Sequence, residues 1–314
     1  MTTVRASALQ LCPFADYLEA GLAARFAVIR WYQLSEPERI EWLQRHAPSV
    51  RAVITGGHIG CSTALMQALP GLQIIAVNGV GVDKVDLDYA RCHGVQVATT
   101  PGALTEDVAD LAVGLIIGLL RGIPCADEFV RKGDWLKGER PLARKVSGRR
   151  FGVVGLGSIG TAIATRLAAF GPVAYTGPTR KDTPYEFHAD ILALAQASSV
   201  LVLACPANAA TRHLADAAVF AALGPQGYLI NVARGAVVDE TALIAALATG
   251  QLGGAALDVF EHEPQVPLAL RHSPRVILTP HMASATLETR TRMADMLFAS
   301  LDALERARGA GCAG

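Results

Sequence analysis

Residues able to do chemistry stand at four places in this chain, each directly behind an aliphatic run. Gly155-Leu156-Gly157-Ser158-Ile159-Gly160 follows Phe151-Gly152-Val153-Val154 and leads into a stretch of helical spacing. In that strand–turn–helix setting a G-x-G-x-x-G pattern binds a dinucleotide. The first glycine allows a tight turn, and the second lets backbone approach a pyrophosphate. The third lets the helix pack close to the sheet, with the diphosphate at the positive helix N-terminus. Three further segments are Asn231-Val232-Ala233-Arg234-Gly235-Ala236-Val237-Val238-Asp239-Glu240, Asp258-Val259-Phe260-Glu261-His262-Glu263-Pro264 and Thr279-Pro280-His281-Met282-Ala283-Ser284. All three are expected at the carboxyl edge of a sheet, where open α/β folds bind their ligands. Taken singly, each has a plain alternative: a glycine turn used only for packing, a surface arginine, a structural loop histidine.

The end of the second strand of the half distinguishes the dinucleotide. An NAD site places Asp or Glu there to accept the ribose hydroxyls. Here the chain reads Tyr175-Thr176-Gly177-Pro178-Thr179-Arg180-Lys181, with no carboxylate before Asp182. A small uncharged turn followed by two cations suits a 2′-phosphate, so NADPH is the preferred cofactor, with NADH kept open. A merely solvated Arg180–Lys181 loop is the alternative. Gly155, Leu156, Gly157, Ser158, Ile159, Gly160, Gly177, Thr179, Arg180 and Val232 are read as cofactor contacts.

The elements that must position these groups follow from periodicity. Residues 26–29, 52–54, 74–77 and 95–97 are strand-like, and 62–69 and 87–93 carry helical spacing. The pattern restarts after residue 150, with strands at 150–154, 173–175, 200–203, 228–230, 255–257 and 276–278 and a helix over 158–170. Six strands with intervening helices make a full dinucleotide-binding domain. Residues 106–135 read as a long apolar helix followed by charged residues, and 287–304 as an amphipathic helix before a frayed tail of small residues. Short connections between alternating strands and helices predict parallel sheets covered on both faces. The fold class is α/β, two doubly wound Rossmann-like domains with a cleft between them.

Composition narrows the function classes. The chain has 314 residues, 51% of them apolar and 18% charged, which suits two filled cores rather than disorder. Lys plus Arg and Asp plus Glu balance at 28 each, leaving no basic field for nucleic acid and no polybasic membrane signal. The longest apolar run, 111–120, is too short to span a bilayer, which needs roughly 20 residues. The expectation is a cytoplasmic protein without signal peptide or anchor. The six cysteines are scattered without a C-x-x-C pair and are read as reduced, mostly buried thiols. No metal-ligand spacing is present, so no metal is expected.

Together the three polar segments and the fingerprint resemble the D-isomer-specific 2-hydroxyacid dehydrogenase family. The resemblance spans nearly the whole chain, including Val80-Gly81-Val82-Asp83-Lys84-Val85-Asp86 and the run from Thr100-Pro101-Gly102 to Val108-Ala109. Thr105-Glu106-Asp107-Val108-Ala109-Asp110-Leu111 and Leu223-Gly224-Pro225-Gln226-Gly227 look like its NADPH-using glyoxylate, hydroxypyruvate and hydroxyphenylpyruvate reductases. The resemblance implies that Arg234 pairs with a 2-oxo acid's carboxylate and polarises its carbonyl oxygen. It implies that His281 donates the proton and that Glu263, the acid immediately before Pro264, partners His281 and favours its imidazolium. Glu261 and His262 are decoys in this pattern. Main-chain amides near Val80 and Gly81 would grip the substrate carboxylate, and Asp258 would contact the nicotinamide end of the cofactor. The family's NADPH users commonly carry arginine where this chain has Pro178, and Arg180 two positions later is the candidate substitute.

The implied architecture has residues 1–98, completed by 286–314, as the substrate domain and 99–285 as the cofactor domain. Relatives are homodimers, and 111–120 looks like the buried core of such an interface. Trp135 resembles an aromatic lent toward the partner's active site, or else packs at the interface rim. His58, in a small-residue loop, is a candidate contact for a substrate hydroxyl. His46, His93, His188, His213 and His272 read as structural or exposed. The same fold and triad also serve NAD-dependent dehydrogenases of other D-2-hydroxy acids and of phosphite, whereas the complete Arg234–Glu263–His281 set argues against the formate enzymes, whose pattern has glutamine in place of the glutamate. A dinucleotide-sensing corepressor-like protein is the alternative of a different class.

Overall fold

A computed structural model describes residues 6–311, which divide into two compact units, one formed by the residues up to 104 together with those from 285 onward and the other by 105–284. Strands and helices alternate in both. The first unit contains β1 (Ser7–Gln10), α1 (Asp16–Arg25), β2 (Ala27–Arg30), α2 (Glu36–His46), β3 (Val50–Gly56), α3 (Thr63–Gln67), β4 (Ile74–Asn78), α4 (Leu87–Cys92) and β5 (Gln96–Ala98). The second opens with α5 (Thr105–Arg121) and α6 (Ile123–Arg131). It continues through β6 (Phe151–Val154), α7 (Ser158–Leu167), β7 (Val173–Thr176), β8 (Glu186–Phe187), α8 (Ile191–Ala197) and β9 (Val200–Leu203). It ends with α9 (Ala217–Leu223), β10 (Tyr228–Asn231), α10 (Glu240–Thr249), β11 (Gly254–Leu257), α11 (Leu268–Arg271) and β12 (Val276–Leu278). The last helix, α12 (Leu287–Gly311), returns to the first unit.

The first unit's sheet has the order β2-β1-β3-β4-β5 and every pair is parallel. Ala294, Leu297 and Leu301 recur at helical spacing on α12 and are buried with Leu18 and Leu22 of α1 and Ile54, Ile74 and Ala76 of the sheet. Arg25 of α1 and Asp302 of α12 form a two-pronged ion pair at 2.7 and 2.9 Å.

The second unit's sheet has the order β12-β11-β10-β9-β6-β7-β8, again wholly parallel. β6, β9, β10 and β11 are buried at all of their positions, which is why they read as unbroken aliphatic runs rather than alternating ones. Asp190, Asp216 and Asp239 start the following helices by accepting backbone N–H bonds at their N-termini.

Several expectations change. The sheet has seven strands, not six: β8 holds only Glu186 and Phe187, too short for any periodicity to register. The 106–135 region is two helices, because Gly122 takes a left-handed φ of 60° and the chain bends by 59° between α5 and α6. The helical run after 287 continues to Gly311, where a frayed tail was expected; residues 312–314, with Cys312, lie outside the described residues. Cys12, Cys61 and Cys205 are buried free thiols, pushed by burial to about 11, 12 and 11, whereas Cys92 and Cys125 are exposed. α5 packs on α7 and on β10, β11 and β12 of its own unit. Its Ala112, Leu115, Ile116 and Leu120 are therefore already buried within the protomer, whereas Leu111, Val113, Ile117 and Leu119 of the same run are only partly buried. No single helix among the described residues is long and apolar enough to cross a membrane.

Candidate active site

The fingerprint occupies the switch point of the second sheet. β6 pairs with β7 on one side and β9 on the other, so the chain leaves it in opposite directions across the sheet. In open α/β sheets that crevice is the ligand site. Gly155 has a φ of 89°, and a Cβ there would lie 2.8 Å from the Cys205 backbone. A Cβ on Gly160 would lie 1.9 Å from the Gly155 carbonyl oxygen. A Cβ on Gly157, by contrast, would meet nothing within 4 Å, and Gly157 and Ser158 are exposed at the start of α7. Two glycines thus bring helix and strand together, and the third leaves an open cradle below the helix's unsatisfied N–H groups. These residues fit a dinucleotide's diphosphate.

β7 ends at Thr176, and Gly177 stands open after it. Arg180 is exposed. Lys181 is the held cation. Its backbone N–H donates to the Tyr175 hydroxyl at 2.6 Å, and its Nζ donates to the Leu156 carbonyl of the fingerprint at 2.6 Å. The Tyr175 anchor could not be inferred from the sequence, because it depends on the turn folding back over β7.

The three polar segments leave adjacent strands. Asn231 pairs with Leu257, and Leu257 with Leu278, so their loops emerge side by side at one carboxyl edge. Buried Asn231 shapes the first loop: its Oδ1 accepts the Ala233 N–H, and its Nδ2 donates to the Arg234 carbonyl. Arg234 Nη1 donates to the Ala233 carbonyl at 2.7 Å. Gly235 lies against the next loop so closely that a Cβ would be 1.8 Å from the Phe260 carbonyl carbon.

His281 Nδ1 meets Glu263 Oε2 at 2.8 Å, and Glu263 Oε1 accepts the Phe260 N–H at 3.1 Å. Both side chains are only partly exposed. A carboxylate facing Nδ1 favours the tautomer that carries a proton there, which leaves Nε2 as the nitrogen for exchange with a ligand. His281 holds a left-handed φ of 51°, uncommon for a residue other than glycine. That conformation is enforced by its N–H bonds to the Asp258 and Thr279 carbonyls.

Asp258 is fully buried, and its carboxylate accepts from the Thr279 hydroxyl at 2.6 Å and from the Met282 and Ala283 N–H groups. Burial pushes its carboxyl above the usual range, with those three bonds and nearby His281 pulling the other way. Whatever it contacts in a ligand, Asp258 shapes the loop that presents His281.

The neighbouring acid is engaged elsewhere. Glu261 pairs with His213 Nε2 at 2.8 Å and Arg212 at 3.2 Å, and His262 is exposed. His213, read from sequence as structural or exposed, thus has a carboxylate partner from another loop. His58 and Val80 are exposed in the first unit, Gly81 is partly buried there, and Val232 is buried at the end of β10. Among the described residues no cluster of three or more His, Cys, Asp or Glu could hold a metal ion.

A seven-stranded parallel sheet with a dinucleotide cradle at its switch point, and a histidine–carboxylate pair with an arginine at the same edge, defines a nicotinamide-dependent oxidoreductase. Residues 113–283 match the family model for the D-isomer specific 2-hydroxyacid dehydrogenase NAD binding domain. The chain belongs to that family. It is 47% identical over 297 residues to a glyoxylate/hydroxypyruvate reductase A of Arabidopsis thaliana, covering 94% of each chain. It is 45% identical over 297 residues to the hydroxyphenylpyruvate reductase of Plectranthus scutellarioides, again with 94% of each covered. Among solved structures it resembles an NADPH-dependent glyoxylate/hydroxypyruvate reductase of Sinorhizobium meliloti in complex with NADP and malonate. That match has a TM-score of 0.86 and 38% identity, over 95% of this chain and 93% of that one.

Proposed function

We propose that this protein reduces small 2-oxo acids, glyoxylate and hydroxypyruvate first and phenylpyruvates with them, to D-2-hydroxy acids, using NADPH in preference to NADH. The observation that carries this reading is the 2.8 Å His281–Glu263 pair on the strand edge shared with Arg234. The activities of the relatives and of the solved neighbour support the substrate class and the cofactor. A nicotinamide dinucleotide, when bound, supplies the hydride to the carbonyl carbon. Arg234 pairs its planar fork with the substrate carboxylate and draws electron density toward the carbonyl oxygen. His281 gives its Nε2 proton to that oxygen, and Glu263 stabilises the imidazolium from which the proton leaves. Asp258 adds a contact to the nicotinamide end. Gly155, Leu156–Ile159, Gly160, Gly177, Thr179, Arg180 and Val232 would hold the cofactor's phosphates and ribose. Residues 1–98 with 286–314 serve as the substrate domain and 99–285 as the cofactor domain. Main-chain amides near Val80 and Gly81 grip the carboxylate, and His58 is a candidate contact for a substrate hydroxyl.

We read the chain as a cytoplasmic homodimer. Trp135, Leu136 and Leu142 are 68, 94 and 98% exposed, and Ile123 and Val130 are also exposed, more apolar surface than one stretch ordinarily leaves in water. Light scattering on the purified chain is expected to give twice the monomer mass, and a monomer at micromolar concentration overturns this.

Initial-rate oxidation of NADPH and NADH with glyoxylate, hydroxypyruvate and phenylpyruvate tests the reaction itself. A kcat/KM at least about tenfold higher with NADPH is expected, equivalent to about 1.4 kcal/mol. Arg180→Ala is expected to lower that ratio, because Arg180 is the exposed cation that follows the open Gly177 turn. Faster turnover with NADH would mean that Pro178 has removed the phosphate site. No turnover with any pair, despite tight dinucleotide binding, would sink the 2-oxo acid reading.

A further inference from the structure

Glu240 is a buried carboxylate with no part in the chemistry above. It is the first residue of α10, directly after the capping Asp239, and only 7% exposed. A carboxylate at that position is favoured by the helix N-terminus, yet burial, the dominant effect, pushes its carboxyl above the usual range. Its Oε1 accepts the backbone N–H of Glu261 at 2.8 Å. This bond ties the element that follows the Arg234 loop to the loop that carries Glu263.

The Asp258–Pro264 loop is seated in the core by buried Val259 and Phe260, and polar contacts set the course of its backbone beyond them. At its start Asp258 bonds the His281 loop, and near its end Glu263 bonds His281 Nδ1 and the Phe260 N–H. Between them, Gly235 packs against the Phe260 carbonyl and Glu240 captures the Glu261 N–H. On the outer side Arg212 and His213 hold the Glu261 side chain. Glu240 is the inner anchor. Without its oxygen the Glu261 N–H loses a buried acceptor, and the peptide would turn to find another. Glu263, two residues on, moves with it.

We propose that Glu240 is a positioning residue that sets the Glu263 carboxylate against His281 Nδ1 by fixing the Glu261 peptide. The role rests on the His281–Glu263 chemistry proposed above. It requires an acceptor oxygen at full side-chain reach and no negative charge. The charged and titratable groups around this anchor are Glu261, His262 and Glu263, with Arg212 and His213 behind Glu261 and with Asp258 beside His281.

The full chain carrying Glu240→Ala, Glu240→Gln, Glu240→Asp, Glu263→Gln and the Glu240→Asp/Glu263→Gln pair tests this, with NADPH as cofactor and hydroxypyruvate as substrate. NADPH affinity by fluorescence and melting temperature are read beside kcat. Glutamine keeps the carbonyl oxygen in reach and is expected to stay within about twofold of the wild-type kcat. Aspartate keeps the charge but withdraws the oxygen, and is expected to lose about tenfold, as is alanine. In the Glu263→Gln background the aspartate change is expected to cost less than about twofold, because its route to His281 is already cut. Glutamine failing as badly as aspartate overturns the proposal, and so does an undiminished loss in the double variant. If Glu240→Ala does not fold, the glutamine–aspartate pair still decides. If Glu263→Gln alone leaves kcat unchanged, the underlying chemistry falls, and the role of Glu240 with it.

Discussion

His281→Asn is expected to lower kcat for 2-oxo acid reduction by about a thousandfold, within the 10²–10⁴ that a positioned general acid contributes. Asparagine is the informative replacement because the position has a left-handed φ of 51°, which asparagine tolerates better than alanine. The backbone bonds of residue 281 to the Asp258 and Thr279 carbonyls can then persist, and so can the Asp258 bonds to the Met282 and Ala283 N–H groups. The loss should therefore fall on proton donation and not on loop structure. NADPH binding, measured by fluorescence, is expected to stay within a few-fold of wild type. Turnover within tenfold of wild type would remove His281 as the proton donor, whatever the melting temperature shows.

Arg234→Lys is expected to lower kcat/KM by roughly 10² to 10³, although the charge is kept. Lysine is a point charge on a flexible stem and cannot present two parallel N–H groups to a carboxylate. Losing one or two hydrogen bonds to charged groups, at about 1.5–3 kcal/mol each, brackets the roughly 3–4 kcal/mol that such a loss represents. The native guanidinium is oriented before any ligand arrives. Asn231 grips the Arg234 carbonyl, and Nη1 is bonded to the Ala233 carbonyl. Lysine inherits the first restraint and not the geometry of the second. The loss should appear in both KM and kcat, because the arginine holds the carboxylate and also polarises the carbonyl oxygen. Steady-state kinetics with glyoxylate decides. A lysine variant of near wild-type kcat/KM would place the carboxylate elsewhere, with the amides near Val80 and Gly81 the next to examine.

What could be read from the sequence was local. The fingerprint is legible because the turn, the backbone approach and the helix contact are each set by a glycine within six residues, and the structure gives each its geometry. The aliphatic runs of β6, β9, β10 and β11 are legible because strands covered on both faces must be apolar throughout. Arg234, Glu263 and His281 were nominated because each stands just past such a run. That placement argues for a ligand-binding edge, but only the family resemblance gave the three their separate roles.

Other features depended on partners far along the chain. Glu261 and Glu263 flank one histidine and are alike as sequence. Their difference comes from loop geometry that turns Glu263 to His281 and Glu261 to His213 and Arg212. Arg180 and Lys181 are adjacent cations, and only the fold of the turn over Tyr175 lets Lys181 reach the Leu156 carbonyl while Arg180 stays in solvent. Glu240 follows a capping aspartate and reads as an ordinary first-turn acid. It is buried because the Glu261 peptide is brought against it from another strand end. Residue type and local spacing determined the strands, the cradle and the candidate list. Tertiary structure decided which like charges pair and which face water, because burial and hydrogen-bond partners are properties of neighbours that the chain supplies from a distance.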